Sequence, residues 1–257
     1  MMNDEWGVWL DGEALPFDGR ANNERCTLIA ANCKLTRVAI RAICFDVGGV
    51  VARISYRWDE MLARVGLPIP REVAANGNVH TMPSFDAYQA GQITDRQYLH
   101  DLACYLGGLT YEQAKAIHCS MLIEPFPGIL EIVAELNAAG FVTGCLSNTN
   151  APHWDDLALS GRFPAIQAMN IRLASHEIGA AKPDPAAYTA FEEASGREPT
   201  EILLFDDSRA NCSAARTLGW NAFRIEPLGD PAQQIRSRLV EAELLDDLSG
   251  LAKGERV

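Results

Sequence analysis

The chain has 257 residues, of which 48% are hydrophobic and 22% charged, a balance that is ordinary for a folded globular protein and excludes disorder along its whole length. Its net charge is -12, so it would approach nucleic acid or an anionic membrane against like charge, and we predict neither as a partner. The length allows one large domain, or one domain that carries a smaller insertion.

The cysteines and the apolar segments indicate a soluble protein of the cytoplasm. Seven cysteines are an odd number, and none of them forms a Cys-x-x-Cys pair, so a disulfide framework or a structural zinc site is not expected. No stretch approaches the ~18 uninterrupted apolar residues of a membrane span, and the first residues lack the basic and apolar regions of a signal peptide. We therefore predict a cytoplasmic location, while the oligomeric state stays unknown.

The first chemical signal in chain order is an aspartate at the end of an apolar run. Residues 1–37 lack a clear period and are interpreted as an N-terminal extension. The following residues predict a strand over 41–46 that ends at Asp46, with Gly48 and Gly49 directly after it. Open α/β sheets place their chemistry at such strand ends, although an aspartate before glycines is also typical of a simple turn. Asp46 is therefore a candidate nucleophile.

A helical insertion is predicted after this strand, over residues 55–125, because the segment is far longer than one crossover helix needs. Thr94 and Thr110 are typical helix-capping residues, and apolar side chains follow Thr94 with a period near 3.6. Such a cap can close over a small substrate and exclude water, or it can be a stabilising insertion only. The candidates to face the site are Tyr88, Gln92 and Tyr98.

Strand and helix patterns alternate through the rest of the chain. The predicted elements are helix 127–139, strand 141–146, helix 184–195, strand 201–206, helix 208–218 and strand 220–224. Alternation with short connections predicts a doubly wound parallel sheet with helices on both faces. We therefore predict an α/β core over 38–54 and 126–257, with ligands bound at the carboxyl ends of its strands.

Polar motifs lie at or near the ends of these elements. Ser147 and Asn148 can donate hydrogen bonds to an anion, although they also suit a turn. Asp206 and Asp207 follow an apolar run; one of them could cap the next helix, but two adjacent acids exceed what a cap requires and repel each other without a cation. Lys182 lies just before a predicted helix and indicates little by itself.

Together with Asp46, these motifs resemble in kind and order the four motifs of the haloacid dehalogenase-like hydrolase superfamily, whose members are mostly phosphatases. The resemblance covers about residues 38–226. The sequence around Asp46, and Ser147 to Asn150 followed by His153, is similar to the branch of small sugar-phosphate phosphatases with a helical cap. The resemblance implies a Rossmann-like core, Mg²⁺ as cofactor and a small phosphorylated metabolite as substrate.

The resemblance also implies roles for the matched residues. Asp46 would attack phosphorus and form an aspartyl-phosphate, and Lys182 would hold nucleophile and phosphate together by charge. Asn211 would support the metal ligands, although the sequence fits a surface position on the helix equally well. The metal ligands would be Asp46, the backbone carbonyl of Gly48, Asp207 and, directly or through water, Asp206. The substrate-binding residues would be Ser147, Asn148 and Lys182.

Position 48 departs from the family pattern. Most phosphatases of the superfamily carry a second aspartate two residues after the nucleophile, which protonates the leaving oxygen, and this chain has Gly48 there. Such acid-base catalysis is worth about 10²- to 10⁴-fold. Three interpretations stay open. The first is a phosphatase for leaving groups that need little protonation, such as that of an anomeric sugar phosphate, assisted by water or a cap residue, with His153 as a candidate. The second is a 2-haloacid dehalogenase, which needs no acid and which the paired aspartates disfavour. The third is a non-catalytic relative that binds a phosphorylated ligand or a protein.

Overall fold

A computed structural model of the protein describes residues 39–70 and 77–245. The interpretation of residues 1–37 as an N-terminal extension falls outside these residues and stays a prediction. Within the described ranges, no helix combines the length and the apolar character that crossing a membrane requires.

The described chain forms a five-stranded parallel sheet and a separate antiparallel pair of strands. The strands are β1 (Ala42–Phe45), β2 (Ala52–Ile54), β3 (Leu122–Pro125), β4 (Val142–Ser147), β5 (Ile171–Ala174), β6 (Ile202–Asp206) and β7 (Asn221–Arg224). The order in the parallel sheet is β5-β4-β1-β6-β7, so β1 lies in the centre. The chain moves outward from β1 on both sides, which makes the sheet doubly wound.

The central position of β1 follows from its sequence, because all four of its residues are apolar and fully buried. Strands that are buried on both faces are typical of parallel sheets covered by helices on both sides. Phe45 pairs in register with Cys145 of β4 and with Phe205 of β6. The ends of these three strands therefore lie within two residues of one another, and the residues that end or follow them meet at one edge of the sheet.

Helices cover both faces of the parallel sheet. The α-helices of the described residues are α1 (Trp58–Arg64), α2 (Phe85–Gln89), α3 (Asp95–Tyr105), α4 (Tyr111–Cys119), α5 (Ile129–Ala138), α6 (Ala151–Leu159), α7 (Pro164–Ala168), α8 (Ser175–Ile178), α9 (Pro185–Ser195), α10 (Arg209–Thr217) and α11 (Pro231–Glu241). Phe45 packs in a cluster with side chains of α5, α7 and α11, whereas Cys44 packs in another with side chains of α9 and α10. This is the α/β architecture that the sequence predicts.

Helices α1 to α4 form a cap with a hydrophobic core of its own, which includes Trp58, Phe85 and Ile117. The Thr94 side chain caps α3, and Thr110 forms a capping box at the start of α4, as their sequences predict. The antiparallel strands β2 and β3 carry the chain into and out of the cap. The cap is thus inserted after the first strand of the core; its exact limits, 55–125, stay a prediction.

The predicted elements of the core agree with the observed ones to within about two residues, which is the usual uncertainty of helix ends. For example, the predicted helix 127–139 is observed as Ile129–Ala138, and the predicted strand 141–146 as Val142–Ser147. The elements that were not predicted are β2, β3, β5, α6, α7, α8 and α11, and α1 and α2 of the cap were not predicted individually.

Candidate active site

Four predicted site residues meet at the carboxyl edge of the parallel sheet. Asp46 directly follows β1, Ser147 ends β4, and Asp206 ends β6. These strands are neighbours whose ends lie within two residues of one another, which brings the three side chains to the same place. Lys182 comes from the loop before α9, and its side chain reaches the same point.

The ammonium group of Lys182 lies between two carboxylates. Its Nζ is 3.0 Å from Oδ1 of Asp46 and 2.7 Å from Oδ2 of Asp206, and the side chains of Lys182 and Asp206 are fully buried. Burial lowers the pKa of Lys182, but the negative charges of Asp206 and Asp46 outweigh burial and raise this pKa above its ordinary value. Lys182 is therefore a permanent positive charge that holds the candidate nucleophile in place.

The carboxylates at this point outnumber the positive charge. Burial is the main cause that raises the pKa of Asp46 to about 7; the charge of Lys182 opposes this shift, and those of Asp206 and Asp207 add to it. Burial, followed by the charge of Asp206, raises the pKa of Asp207 to about 6. The three aspartates offer carboxylate oxygens that lie within 4.8 Å of one another. Hard oxygen donors with excess negative charge fit Mg²⁺, the ion that the resemblance implies.

The two adjacent aspartates have different surroundings. Oδ1 of Asp206 accepts hydrogen bonds from the backbone N of Ser208 (2.8 Å) and from Nδ2 of Asn211 (3.0 Å). Its Oδ2 accepts from Lys182 and, at 3.1 Å, from Nδ2 of Asn211. Protein donors therefore occupy both oxygens of Asp206, which favours a role in orienting Lys182. Asn211 supports this acid, whereas its support of metal ligands stays a prediction.

Asp207 lies against the turn that follows the nucleophile. Gly49 has a φ of +77°, and its backbone N donates to the carbonyl oxygen of Ala52 (2.9 Å). A Cβ at Gly49 would be 2.5 Å from Oδ2 of Asp207, so glycine is required here both for its backbone conformation and for this close approach. Asp46, Gly48 and Asp207 line the same cavity. Direct coordination by Asp46, Gly48 and Asp207 stays a prediction.

Asn148 holds the backbone of Lys182. Its Oδ1 accepts a hydrogen bond from the backbone N of Lys182 (2.8 Å), and its Nδ2 donates to the carbonyl oxygen of Lys182 (2.7 Å). Both polar atoms of this amide are therefore bonded to Lys182, and one hydrogen of Nδ2 stays available. Ser147 lines the cavity beside it. Phosphate binding by either residue stays a prediction, whereas the observed role of the Asn148 side chain is to position Lys182.

His153 lies at the wall of the cavity, but its ring is bonded to protein groups. Its Nε2 is 2.8 Å from the carbonyl oxygen of His118, and its Nδ1 is 3.2 Å from Nδ2 of Asn150. Burial lowers the pKa of His153 to about 4, so the ring is neutral at pH 7. A neutral ring bonded through both nitrogens has no free proton for a substrate. Acid assistance by His153 stays a prediction that this bonding does not support; the observed bonds join α6 of the core to α4 of the cap.

Of the three cap residues predicted to face the site, Gln92 lines the cavity. The prediction is wrong for Tyr88 and Tyr98, whose rings stack 4.0 Å apart within the hydrophobic core of the cap. The apolar face of α3 that contains Tyr98 packs inside the cap, as the apolar face of an amphipathic helix ordinarily does.

A cavity of about 710 Å³ lies between the sheet edge and the cap. Asp46, Lys182 and Asp207 line it on the core side. The segment from β2 through the cap contributes polar side chains that the sequence analysis did not identify, namely those of Tyr56, His80, Asp86 and Gln89. No motif or period distinguishes these four residues, because they lie in connections and in the short helix α2.

The sequence is similar to a hydrolase family and to proteins named as phosphatases. A model of the haloacid dehalogenase-like hydrolases matches residues 40–219. A protein named phosphatase MT3486, from Mycobacterium tuberculosis, is 29% identical over 202 residues, which cover 75% of this chain and 90% of that protein. The phosphoglycolate phosphatase of Thiobacillus denitrificans is 23% identical over 199 residues, which cover 72% of this chain and 82% of that enzyme.

Solved structures of the family share the fold. An enzyme of the haloacid dehalogenase-like (HAD) family from Bacteroides thetaiotaomicron has a TM-score of 0.65 at 25% identity. The match covers 77% of this chain and 99% of the chain of that enzyme. The same enzyme in complex with magnesium and inorganic phosphate has a TM-score of 0.59 at 25% identity, with coverage of 72% and 94%. The L-2-haloacid dehalogenase PA0810 shares the fold at 24% identity, with a TM-score of 0.56 and coverage of 74% and 86%. The matching family model extends from the first strand of the core to the end of α10. This chain therefore belongs to the haloacid dehalogenase-like hydrolases.

Proposed function

We propose that the protein is a Mg²⁺-dependent hydrolase of small phosphomonoesters and that Asp46 forms an aspartyl-phosphate during turnover. The observation that carries the proposal is the pairing of Asp46 with the buried Lys182, beside the carboxylates of Asp206 and Asp207. Relatives that are named as phosphatases support the same reaction class.

Asp46 is held in a position suited to nucleophilic attack. Its backbone N donates to the carbonyl oxygen of Phe205 (2.8 Å), and its Oδ1 is paired with Lys182, so backbone and side chain are both fixed at the strand end. Attack of a carboxylate oxygen on phosphorus breaks the bond to the leaving oxygen, which keeps the electron pair and takes a proton from water, so the products are an aspartyl-phosphate and an alcohol. Water then attacks this phosphorus, which releases inorganic phosphate and restores Asp46.

The charges around Asp46 suit a dianionic phosphate only when positive charge is added. Lys182 supplies one positive charge and favours the ionised form of Asp46. Mg²⁺ bound by Asp46, Asp207 and the carbonyl of Gly48 would supply further positive charge to offset that of the carboxylates and the phosphate. Asp206, whose oxygens are occupied, would keep Lys182 charged and oriented.

The cavity favours a small and polar substrate. Its volume of about 710 Å³ lies within the range of about 300–1,000 Å³ that is usual for small-molecule sites. The cap lies over it, with Nε2 of Gln89 donating to the carbonyl oxygen of Asn148 (3.3 Å), which restricts the entry of macromolecules. Polar groups of His80, Asp86 and Gln92 line the cavity and suit the hydroxyl groups of a sugar phosphate. Nucleic acid and membranes are not proposed as partners.

Phosphate release from a panel of sugar phosphates, acyl phosphates and nucleotides, with and without Mg²⁺, tests this proposal. Asp46→Asn should lower the rate by at least about 10³-fold, as loss of a nucleophile does in other enzymes. The matched control is Asp155→Asn, because Asp155 is an exposed aspartate of α6; its rate should equal that of the wild type.

Chloride release from 2-chloropropionate is measured with the same proteins, because dehalogenases share this fold. Chloride release that depends on Asp46 but not on Mg²⁺, without phosphate release, would replace the proposal by dehalogenation. If the wild type releases neither phosphate nor chloride, the results would favour a protein that binds its ligand without turnover.

A further inference from the structure

The space that an acidic side chain at position 48 would fill is already occupied. A Cβ built on Gly48 would lie 2.6 Å from Cδ1 of Ile54 and 3.6 Å from the hydroxyl oxygen of Tyr56. Ile54 ends β2, and Tyr56 follows two residues later, where the chain enters the cap. The fold thus places a phenol hydroxyl beside the position at which most phosphatases of the family carry their second aspartate.

The hydroxyl of Tyr56 is available to a substrate. Tyr56 lines the cavity together with Asp46 and Asp207, and its ring packs against His80 with ring centroids 5.0 Å apart. Burial is the main cause that raises the pKa of Tyr56 well above its ordinary value, and the negative charges of Asp207 and Asp46 add to it. The phenol therefore keeps its proton. Within the described ranges, no protein group forms a hydrogen bond with this hydroxyl.

Two groups that the sequence analysis placed at the site are bonded mainly to protein groups. The ring of His153 is bonded through both nitrogens, and the amide of Asn148 is bonded to Lys182 at both ends. In phosphoryl transfer the leaving oxygen departs roughly in line with the attacking oxygen, on the opposite side of phosphorus. A substrate attacked by Asp46 therefore directs its leaving oxygen away from the sheet edge and towards the cap, which the chain enters at Tyr56.

We propose that the hydroxyl of Tyr56 donates a hydrogen bond to the bridging oxygen of the substrate, the atom that links phosphorus to the organic part. This inference rests on the phosphatase function proposed above. As the O–P bond to Asp46 forms, the bond from phosphorus to the bridging oxygen breaks, and its electron pair stays on that oxygen. The hydrogen bond stabilises this developing charge, and water supplies the proton that completes the alcohol. Tyr56 itself stays protonated throughout.

The test compares two leaving groups in Tyr56→Phe. One substrate is the best alkyl phosphate of the panel, and the other is p-nitrophenyl phosphate, whose leaving group is stable as an anion. We expect kcat/KM for the alkyl phosphate to fall by about 10- to 100-fold, because the developing alkoxide loses its donor. For p-nitrophenyl phosphate the loss should be less than about 3-fold. The matched control is Tyr111→Phe, on the exposed surface of α4, which should change neither value.

Two further measurements separate a role in leaving-group stabilisation from a structural one. Inhibition by inorganic phosphate, which has no leaving group, should be unchanged in Tyr56→Phe, and so should the melting temperature. An equal loss for both substrates, or no loss for the alkyl phosphate, would overturn the inference while the proposed function stands. A wild type that shows no Asp46-dependent phosphate release would instead refute the proposed function, and the inference with it.

Discussion

Replacing His153 with glutamine should reduce the loss of stability that we expect for the protein in acid. In the wild type the imidazole is buried, stacks on His118 with ring centroids 4.0 Å apart, and is bonded through both nitrogens. Burial lowers the pKa of His153 to about 4 and that of His118 well below its ordinary value. Each ring therefore stays neutral in the folded protein at pH values where it is protonated in the unfolded chain.

The sign and size of the effect follow from this difference in pKa. The unfolded chain takes up a proton at His153 near pH 6.5, whereas the folded protein does so only near pH 4. The stabilising contribution of the neutral ring is therefore complete above about pH 6.5 and is lost as the pH falls towards 4. A pKa that moves from 6.5 to about 4 corresponds, at about 1.4 kcal/mol per pH unit, to about 3 kcal/mol.

Urea unfolding of the wild type and of His153→Gln, between pH 7 and pH 4 in EDTA, measures this contribution. Tryptophan fluorescence and far-UV circular dichroism should give coincident curves if cap and core unfold together. Asp46 and Asp207 have raised pKa values and act in the opposite direction, but both proteins contain them, so their effect cancels in the comparison. Over this pH range, the free energy of unfolding of the wild type should fall by about 3 kcal/mol more than that of the variant. If the free energy of unfolding changed equally with pH in both proteins, His153 would have the same pKa in the folded and unfolded chain. That result would refute the reasoning.

Three further substitutions test the buried ion pair of Lys182, the packing of the core and the packing of the cap. Lys182→Met in EDTA should lower the free energy of unfolding by about 3–5 kcal/mol, because the carboxylate of Asp206 is left buried without its cation; adding Asp206→Asn should recover part of the loss in the same urea titration. Gly144→Ala should cost about 1–3 kcal/mol in urea unfolding, since its Cβ would lie 2.7 Å from Cε2 of Phe191, and wild-type stability would contradict this contact. Tyr98→Phe should be neutral or stabilising by up to about 1 kcal/mol, because the buried hydroxyl of Tyr98 has no hydrogen-bond partner in the described structure, and a lower melting temperature would show that it has one.

The core could be predicted from the sequence because its signals are local. β1 is a continuous apolar run, and the predicted helices of the core have apolar faces with the period of a helix. The missed strands β2, β3 and β5 have only three or four residues each, too few to show a period, and β3 contains a proline and a glutamate. Helix α11 could have been predicted from the sequence, because Asp230 before Pro231 is a typical helix start. The structure shows Asp230 as its N-cap.

The site could be predicted only in part, because its contacts depend on the path of the chain. Polar residues after parallel strands must meet at one edge, which brings together Asp46, Ser147 and Asp206 in the structure as predicted. The two hydrogen bonds between the Asn148 side chain and the Lys182 backbone depend on how the loop before α9 passes the end of β4. No local sequence pattern contains that information. The approach of Tyr56 to Gly48 likewise depends on the turn that leads into β2 and on the strand itself.

The most direct test of Asp46 as the nucleophile is to stop turnover with acid and determine by mass spectrometry which peptide carries a phosphoryl group. The wild type, with Mg²⁺ and its best substrate, should carry one phosphoryl group on the peptide that contains Asp46, and Asp46→Asn should carry none. A phosphoryl group on another residue would contradict the proposed mechanism, and so would an unmodified Asp46 peptide at every quench time while phosphate is released.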